Sequence, residues 1–373
     1  MNLRKLAYIN GFEQVKRKVR VSRKRSTVGS IAPRLYNPRG MPETNQILQG
    51  DCINVLNEGP EGWVDLVFAD PPFNIGYLYS GYNDERKTED YLKFSEDWMT
   101  AVHRALKPSG SFYLAIGDEY AADLAVIARR KIGFHMRNWI VWHYTFGQQM
   151  KQKFAKSHTH ILYFTKSPDP KDFTFNADPI RVASARQTTY ADARANPKGK
   201  VPDDTWYLRP QETAIIEPGY RSVLDDAKRL DLFDPTCDTW NVSRVCGTFK
   251  EREGWHGCQM PIAVLDRIVK ASSNPGDVVL DPFNGSGTTI VSAALLDRKY
   301  VGIDQSKEYV EFARKRLQHA LEAKEKKGKD AAITDTTRES RILTPTDAFG
   351  RKRVARKRAG RSANGKTILS KTA

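Results

Sequence analysis

Residues 277–289 read Asp277-Val278-Val279-Leu280-Asp281-Pro282-Phe283-Asn284-Gly285-Ser286-Gly287-Thr288-Thr289, and the fold follows from this stretch. Val278, Val279 and Leu280 form a short apolar run that stops at an acid, as a strand buried in a parallel sheet does. Pro282 ends the strand. Gly285 and Gly287 permit a tight corner from which an apolar-periodic helix, Thr288 to Leu296, sets out. A second run, Tyr300-Val301-Gly302-Ile303-Asp304, again stops at an acid, and a helix over 307–324 follows it. Strand, corner, helix and strand in this order make a right-handed crossover unit of an α/β sheet.

The same alternation extends upstream. Strands are expected over 45–51 and 63–70, each ending at an acid (Asp51, Asp70), then an amphipathic helix over 88–106 stopped by a turn at Lys107-Pro108-Ser109-Gly110. A strand over 111–116, a helix over 120–131 and strands at 139–142 and 161–164, bracketing a polar stretch, come next. From about 167 to 245 periodicity fades into polar, Pro-rich and Gly-rich sequence, and order resumes with a helix over 261–272. The expected fold is therefore α/β: a parallel, doubly wound, Rossmann-like sheet carrying one irregular insertion. Its parts are a basic arm (1–40), one half of the sheet domain (41–166), the insertion (167–255), the other half (256–321) and a basic tail (322–373).

The net charge of +16 sits in the two ends. Residues 1–40 carry +10 and residues 322–373 carry +9, which leaves −3 for the part between. Runs such as Arg23-Lys24-Arg25 and Arg356-Lys357-Arg358 fit extended arms that hold phosphates without reading sequence, with solvated spacers as the bland alternative. Four cysteines without a C-x-x-C pair argue against a disulfide scaffold or a zinc ribbon, and no metal is expected. The N-terminus is charged where a signal peptide would be apolar, and no apolar run reaches membrane-spanning length, so a cytoplasmic protein with no membrane partner is expected.

Two loops carry the chemistry. In the later one, a glycine pair where a strand meets a helix lets a ligand approach the backbone, although a plain capped turn or a phosphate site would look the same. Asp304, about 20 residues on, is placed to accept ribose hydroxyls; without a third glycine or a G-K-[ST], a pyrophosphate fits poorly. The earlier loop is Asp70-Pro71-Pro72-Phe73. Its prolines have no N–H to donate, so the corner offers only acceptors, the Asp70 carboxylate and a carbonyl, beside an aromatic ring. That combination suits the exocyclic amine of a planar base stacked on Phe73, against the bland reading of an ordinary strand exit.

Taken together, Asp70-Pro71-Pro72-Phe73 resembles the catalytic motif of the amino-directed (N6-adenine/N4-cytosine) DNA methyltransferases, and Asp281 to Thr289 resembles their S-adenosylmethionine motif. The catalytic motif comes first, with a long insertion between the two, as in the β-group of that family. The resemblance covers nearly all of residues 45–320. It implies an S-adenosylmethionine-dependent enzyme that methylates the N6 amine of adenine in double-stranded DNA, with cytosine N4 as the rival target and a non-catalytic DNA binder as the rival class.

By resemblance, Asp70, Pro71, Pro72 and Phe73 are catalytic, and Asp70 also borders the cofactor. Asp281, Phe283, Gly285 and Gly287 hold the methionine moiety and Asp304 the ribose, and Thr288 is also a cofactor-binding residue. Asp51 and Cys52 take the adenine end, and His256, Gln259 and Pro261 the carboxylate side. Asp51 as a turn cap and His256 as a structural histidine are the plain alternatives. The segment from Trp139 to Lys166 looks like the part that helps enclose the target base. Reading of DNA sequence is expected in the insertion, with Arg181, Arg186, Gln187, Tyr190 and Arg194 as candidate DNA contacts. The expected partners are DNA in a bacterial, archaeal or phage nucleoid setting and a second copy of the chain in a homodimer.

Overall fold

A computed structural model of the chain describes residues 43–327, apart from 80–81, 149–151, 153, 155, 183–191 and 205–258. Seven strands form one sheet: β1 (Gln46–Gln49), β2 (Val64–Ala69), β5 (Leu106–Ile116), β6 (His135–Gln148), β7 (Lys156–Thr165), β8 (Val278–Asp281) and β9 (Lys299–Asp304), in the order β1-β9-β8-β2-β5-β7-β6. A two-stranded ribbon, β3 (Leu78–Tyr79) and β4 (Tyr82–Asn83), stands apart. The first five strands of the order pair in parallel, and β7 runs antiparallel to both β5 and β6. The sheet is thus mixed where an all-parallel one was expected, because β6 and β7 form a hairpin whose strands extend well into the 145–160 stretch.

Chain direction explains how the helices are distributed. From β2 the chain winds towards β5, and from β8 it winds the opposite way to β9; right-handed crossovers then put their helices on opposite faces. Helices α1 (Cys52–Asn57), α2 (Thr88–Ala105) and α3 (Ala121–Val126, continued by a π-helical turn over Ile127–Ile132) cover one face. There Leu56, Trp98, Val102 and Leu124 bury against Val67, Phe112 and Leu114. Helices α4 (Ile262–Ser272), α5 (Thr288–Leu295) and α6 (Lys307–Lys327) cover the other, where Leu265 and Ile268 meet Leu66, Phe68 and Tyr113. Leu66 and Phe68 point one way and Val67 the other, the period-two alternation that a strand buried on both faces requires.

The expected turn at 107–110 is instead a bulge inside β5. Val64 pairs with Leu106 but Leu66 pairs with Ser111, so five steps on β5 oppose two on β2. Lys107 Nζ pins the excursion to both oxygens of Asp65, at 2.7 and 2.9 Å. A side chain at Gly110 would stand 2.5 Å from Leu106 Cγ, which is why the bulge closes on glycine.

Candidate active site

The direction of winding reverses between β2 and β8, which are direct neighbours. The carboxyl ends of strands at such a switch point are where open α/β sheets leave a crevice. Four acids lie at the carboxyl ends of four adjacent strands: Asp51 after β1, Asp304 ending β9, Asp281 ending β8 and Asp70 after β2. Asp70, Asp281 and Asp304 line one cleft, together with Gly50, Cys52, Phe68, Pro72, Phe94, Met260, Pro282 to Ser286, Thr288, Thr289, Gln305, Ser306 and Tyr309.

The glycine loop is held from behind. Asn284 N–H donates to the Ile303 carbonyl at 2.9 Å and Gly287 N–H to the Asn284 carbonyl at 2.7 Å, while Gly285 and Gly287 take φ of 44° and 76°. Arg316 of α6 reaches the Ser286 carbonyl at 2.9 Å and the Thr288 hydroxyl at 2.8 Å. That hydroxyl in turn donates to the Met260 carbonyl at 3.1 Å. Thr288 therefore lines the cleft but its hydroxyl braces the loop. The Asn284 amide is 3% exposed, and among the described residues neither its oxygen nor its nitrogen has a hydrogen-bond partner.

Each acid has a distinct setting. Asp304 accepts Gly285 N–H on Oδ2 and Ser306 N–H on Oδ1, both at 2.8 Å, so it ties the glycine loop to the start of α6. Asp281 accepts the Phe283 N–H at 3.0 Å. Asp51 caps α1 through Ile53 N–H (3.0 Å) and Asn54 N–H (3.1 Å) and accepts the Gln305 amide at 3.0 Å. It is the cap that the plain reading foresaw, and the cleft meets its neighbours Gly50 and Cys52 instead.

Loss of solvation, then the charge of Asp281, pushes the Asp70 carboxyl up to about 8. Burial, with help from Asp304, pushes Asp281 up to about 7 against the pull of its hydrogen bonds to Thr289 and Phe283. Burial also raises Asp304, and it raises the Cys52 thiol far out of the reactive range. A row of carboxylates that is hard to ionise together is a site waiting for positive charge.

The Asp70-Pro71-Pro72-Phe73 corner is fixed on its other side. Tyr91 of α2 donates to the Pro72 carbonyl at 2.8 Å. Phe73 is half-buried and lies against Gly117, where a Cβ would approach its ring to 3.3 Å. Phe283 stands edge-on to Trp98 (5.1 Å between centroids) and Phe94 (6.3 Å), and Phe94 lies 6.5 Å from Tyr91, so aromatic residues of α2 bridge the two loops.

Other expected residues fall elsewhere. Gln259 and Pro261 are buried just before α4, where Met260 between them reaches the cleft. Arg181 is bound to Asp178 (2.9 Å) and to the Gly199 carbonyl (2.9 Å). Asp178 shares a groove with Asn274, Pro275 and Arg298, which precede β8 and β9, at the end of the sheet opposite Asp70. Arg181 is thus paired at the end of the sheet away from Asp70. Arg194 is exposed and paired with Asp192. His256, Arg186, Gln187 and Tyr190 lie outside the described residues.

Sequence reasoning missed Asn284, Phe94 and a buried acid, Asp84, that organises the segment after Phe73. Asn284 stood inside the quoted motif, and its burial against glycine, at Gly302, was the available signal: a Cβ at 302 would meet Asn284 Oδ1 at 2.5 Å.

Residues 64–315 match the N6/N4 methyltransferase family, described as DNA methylase. The chain is 34% identical over 272 residues to the type II methyltransferase M.HpaI of Haemophilus parainfluenzae, covering 73% of this chain and 74% of that one. It is 32% identical over 309 residues to the DNA adenine methyltransferase YhdJ of Escherichia coli strain K12, covering 80% and 94%. Among solved structures it resembles the M1.HpyAVI complex with SAM (21% identity, 73% and 98% covered, TM-score 0.46). It also resembles the cytosine-N4-specific PvuII DNA methyltransferase (16% identity, 74% and 90% covered, TM-score 0.46).

Proposed function

Because this chain belongs to the N6/N4 family of DNA methyltransferases, we propose that it moves a methyl group from S-adenosylmethionine to the exocyclic N6 amine of an adenine extruded from duplex DNA. The observation that carries this reading is that Asp70 and Asp281 share one cleft, so an acceptor for an amine and an acidic wall for a cation face the same space. The residues fit the cofactor. Three carboxylates raised by burial favour a cationic ligand, and the unpartnered Asn284 amide can be satisfied by a polar one. Bound S-adenosylmethionine would supply an electrophilic methyl on a positively charged sulfur.

The chain's own residues do the rest. Each Asp304 oxygen holds one backbone N–H and keeps acceptor capacity for a ribose hydroxyl. Phe283, Gly285 and Gly287 let the methionine part lie against the loop, Cys52 and Gly50 border the adenine end, and Gln259, Pro261 and His256 bound the carboxylate side. Asp51 acts by fixing α1 and Gln305. At the other loop, the Asp70 carboxylate and the Pro71 carbonyl accept hydrogen bonds from the two N–H groups of the amine, which localises its lone pair. Positive charge then grows on that nitrogen, and a carboxylate already in place stabilises the transition state more than the ground state. Phe73 stacks on the base and offsets part of the few kcal/mol of extrusion. Neither a metal nor a covalent nucleophile is required.

An Asp opening the catalytic motif favours adenine over cytosine by resemblance, and the relative YhdJ is described as an adenine enzyme. Cytosine N4 is the second reading, since its amine suits the same acceptors. Retention of Asp70, Gly285, Gly287 and Asp304 together argues against a binder without activity. Sequence reading is assigned to Arg186, Gln187, Tyr190 and Arg194. The test is direct sequencing of modified bases in DNA from a host expressing the protein. N6-methyladenine at one recurring sequence is expected; N4-methylcytosine would transfer the reading to the rival base, and unmodified DNA would overturn both.

A further inference from the structure

The segment that follows the catalytic motif is built more firmly than cofactor binding or methyl transfer requires. Asp84 is 2% exposed. Its Oδ1 accepts Asn74 N–H at 2.8 Å, and its Oδ2 accepts Ile75 N–H at 3.1 Å and Tyr77 N–H at 3.0 Å. Its own carbonyl takes Gly76 N–H at 2.9 Å. Four consecutive N–H groups are thus bound by one buried residue. Asn74, at φ 57°, closes the other side: its amide donates to the Arg86 carbonyl (3.0 Å) and the Tyr120 hydroxyl (2.9 Å) and accepts Arg86 N–H at 2.7 Å. Tyr120 itself packs on Tyr91, the residue that holds Pro72, with centroids 4.5 Å apart.

What this frame holds outward is apolar. Ile75 is 62% exposed and Tyr77 38%. A single exposed isoleucine needs no explanation, because much of any protein surface is apolar. Ile75 differs in that a buried carboxylate fixes its backbone, two residues beyond Phe73, which stacks on the base in the reading above. Apolar side chains inserted between base steps hold a duplex open, and a rigid backbone loses less freedom on insertion than a mobile one.

We propose that Ile75, with Tyr77 behind it, is a wedge that enters the duplex beside the target nucleotide and fills the place its base leaves in the stack. The inference rests on the reading that the target base is extruded from DNA. Its test uses two duplexes carrying the methylated sequence found by sequencing: one fully paired, one with an abasic site opposite the target, where extrusion is already easy. With Ile75→Ala, turnover on the paired duplex falls by about tenfold or more, because the unstacking cost is no longer offset, while the abasic duplex is methylated within about twofold of the parent rate. Ile75→Leu keeps most activity on both, and S-adenosylmethionine affinity is unchanged in either variant. Equal losses on the two duplexes, or no loss on the paired one, would overturn the wedge. A parent protein that methylates neither duplex would overturn the methylation reading itself, and the wedge with it.

Discussion

Asp70 is asked to do two things that its surroundings set against each other. In the proposed reaction it is ionised to accept a hydrogen bond from an amine, yet burial and Asp281 hold its carboxyl near 8. Replacing it separates the roles. Asp70→Ala removes the acceptor but leaves the glycine loop and Asp304 intact, so cofactor affinity stays near the parent value while turnover falls by about 10²- to 10³-fold, as for loss of one preorganised electrostatic partner. Cofactor titration alongside single-turnover kinetics reads both, and substantial remaining turnover would refute the role.

The raised acids also give a sign to pH dependence. A carboxyl with a folded value near 7 or 8 and an unfolded value of 3.8 binds protons more tightly in the folded state, so its contribution to stability is full below about 3.8 and is lost as pH rises towards 8. A cationic ligand favours the ionised acids and reverses that trend. The rise in melting temperature produced by S-adenosylmethionine should therefore grow from pH 6 to pH 8.5, and grow less for S-adenosylhomocysteine, whose sulfur is neutral. Parallel pH profiles for the two ligands would show that the acids do not sense the sulfonium charge.

At the scale of elements, close packing of a loop on a strand governs the cofactor side. Gly302 sits mid-strand in β9, where its missing side chain makes room for Asn284 Oδ1, 2.5 Å from an added Cβ. Gly302→Ala must push the Asn284 side chain and its loop towards the cleft, since β9 is fixed on both sides by β1 and β8. Overpacking of this kind costs about 1 to 3 kcal/mol of stability. Cofactor affinity should drop with it while Asp70 keeps its place, and a melting curve plus cofactor titration checks the pair; unchanged affinity would mean the Asn284 side chain lies outside the ligand's reach.

These elements also mark how far the sequence was legible. Runs such as Val278 to Asp281 and Tyr300 to Asp304 declare themselves because strands buried on both faces are apolar throughout, and the glycine corner between them needs no tertiary context. β6 and β7 were read short because their outer parts carry His143, Lys156, His158 and His160, polar residues that only a neighbouring strand makes regular. The bulge at 107–110 looked like a turn, since Lys-Pro-Ser-Gly supplies turn chemistry and only the register with β2 reveals the strand around it. Asp84 gave no local signal at all: its partners are backbone N–H groups 7 to 10 residues away.

For the whole molecule, the distribution of charge becomes the governing fact. The part between residues 41 and 321 carries −3 while the ends carry +10 and +9, so non-specific attraction to phosphates should reside in the ends. Of these ends, residues 1–40 and 328–373, which carry +10 and +8, lie outside the described residues, and neither contains a residue assigned to cofactor or base. Deleting 1–40 and 328–373 should weaken binding to every duplex alike and flatten the dependence of log affinity on log salt, each lost phosphate contact removing about 0.9 from the slope. Recognition should survive, because base contacts specify and phosphate contacts position. Turnover at saturating DNA should survive as well, since the cleft between β2 and β8 is complete without the ends. A salt titration of full and truncated protein on matched and scrambled duplexes distinguishes the outcomes. An unchanged slope would make the ends solvated spacers and require a positive patch beside the cleft to carry the attraction; a changed recognition sequence would move the reader of DNA out of the insertion and into the ends.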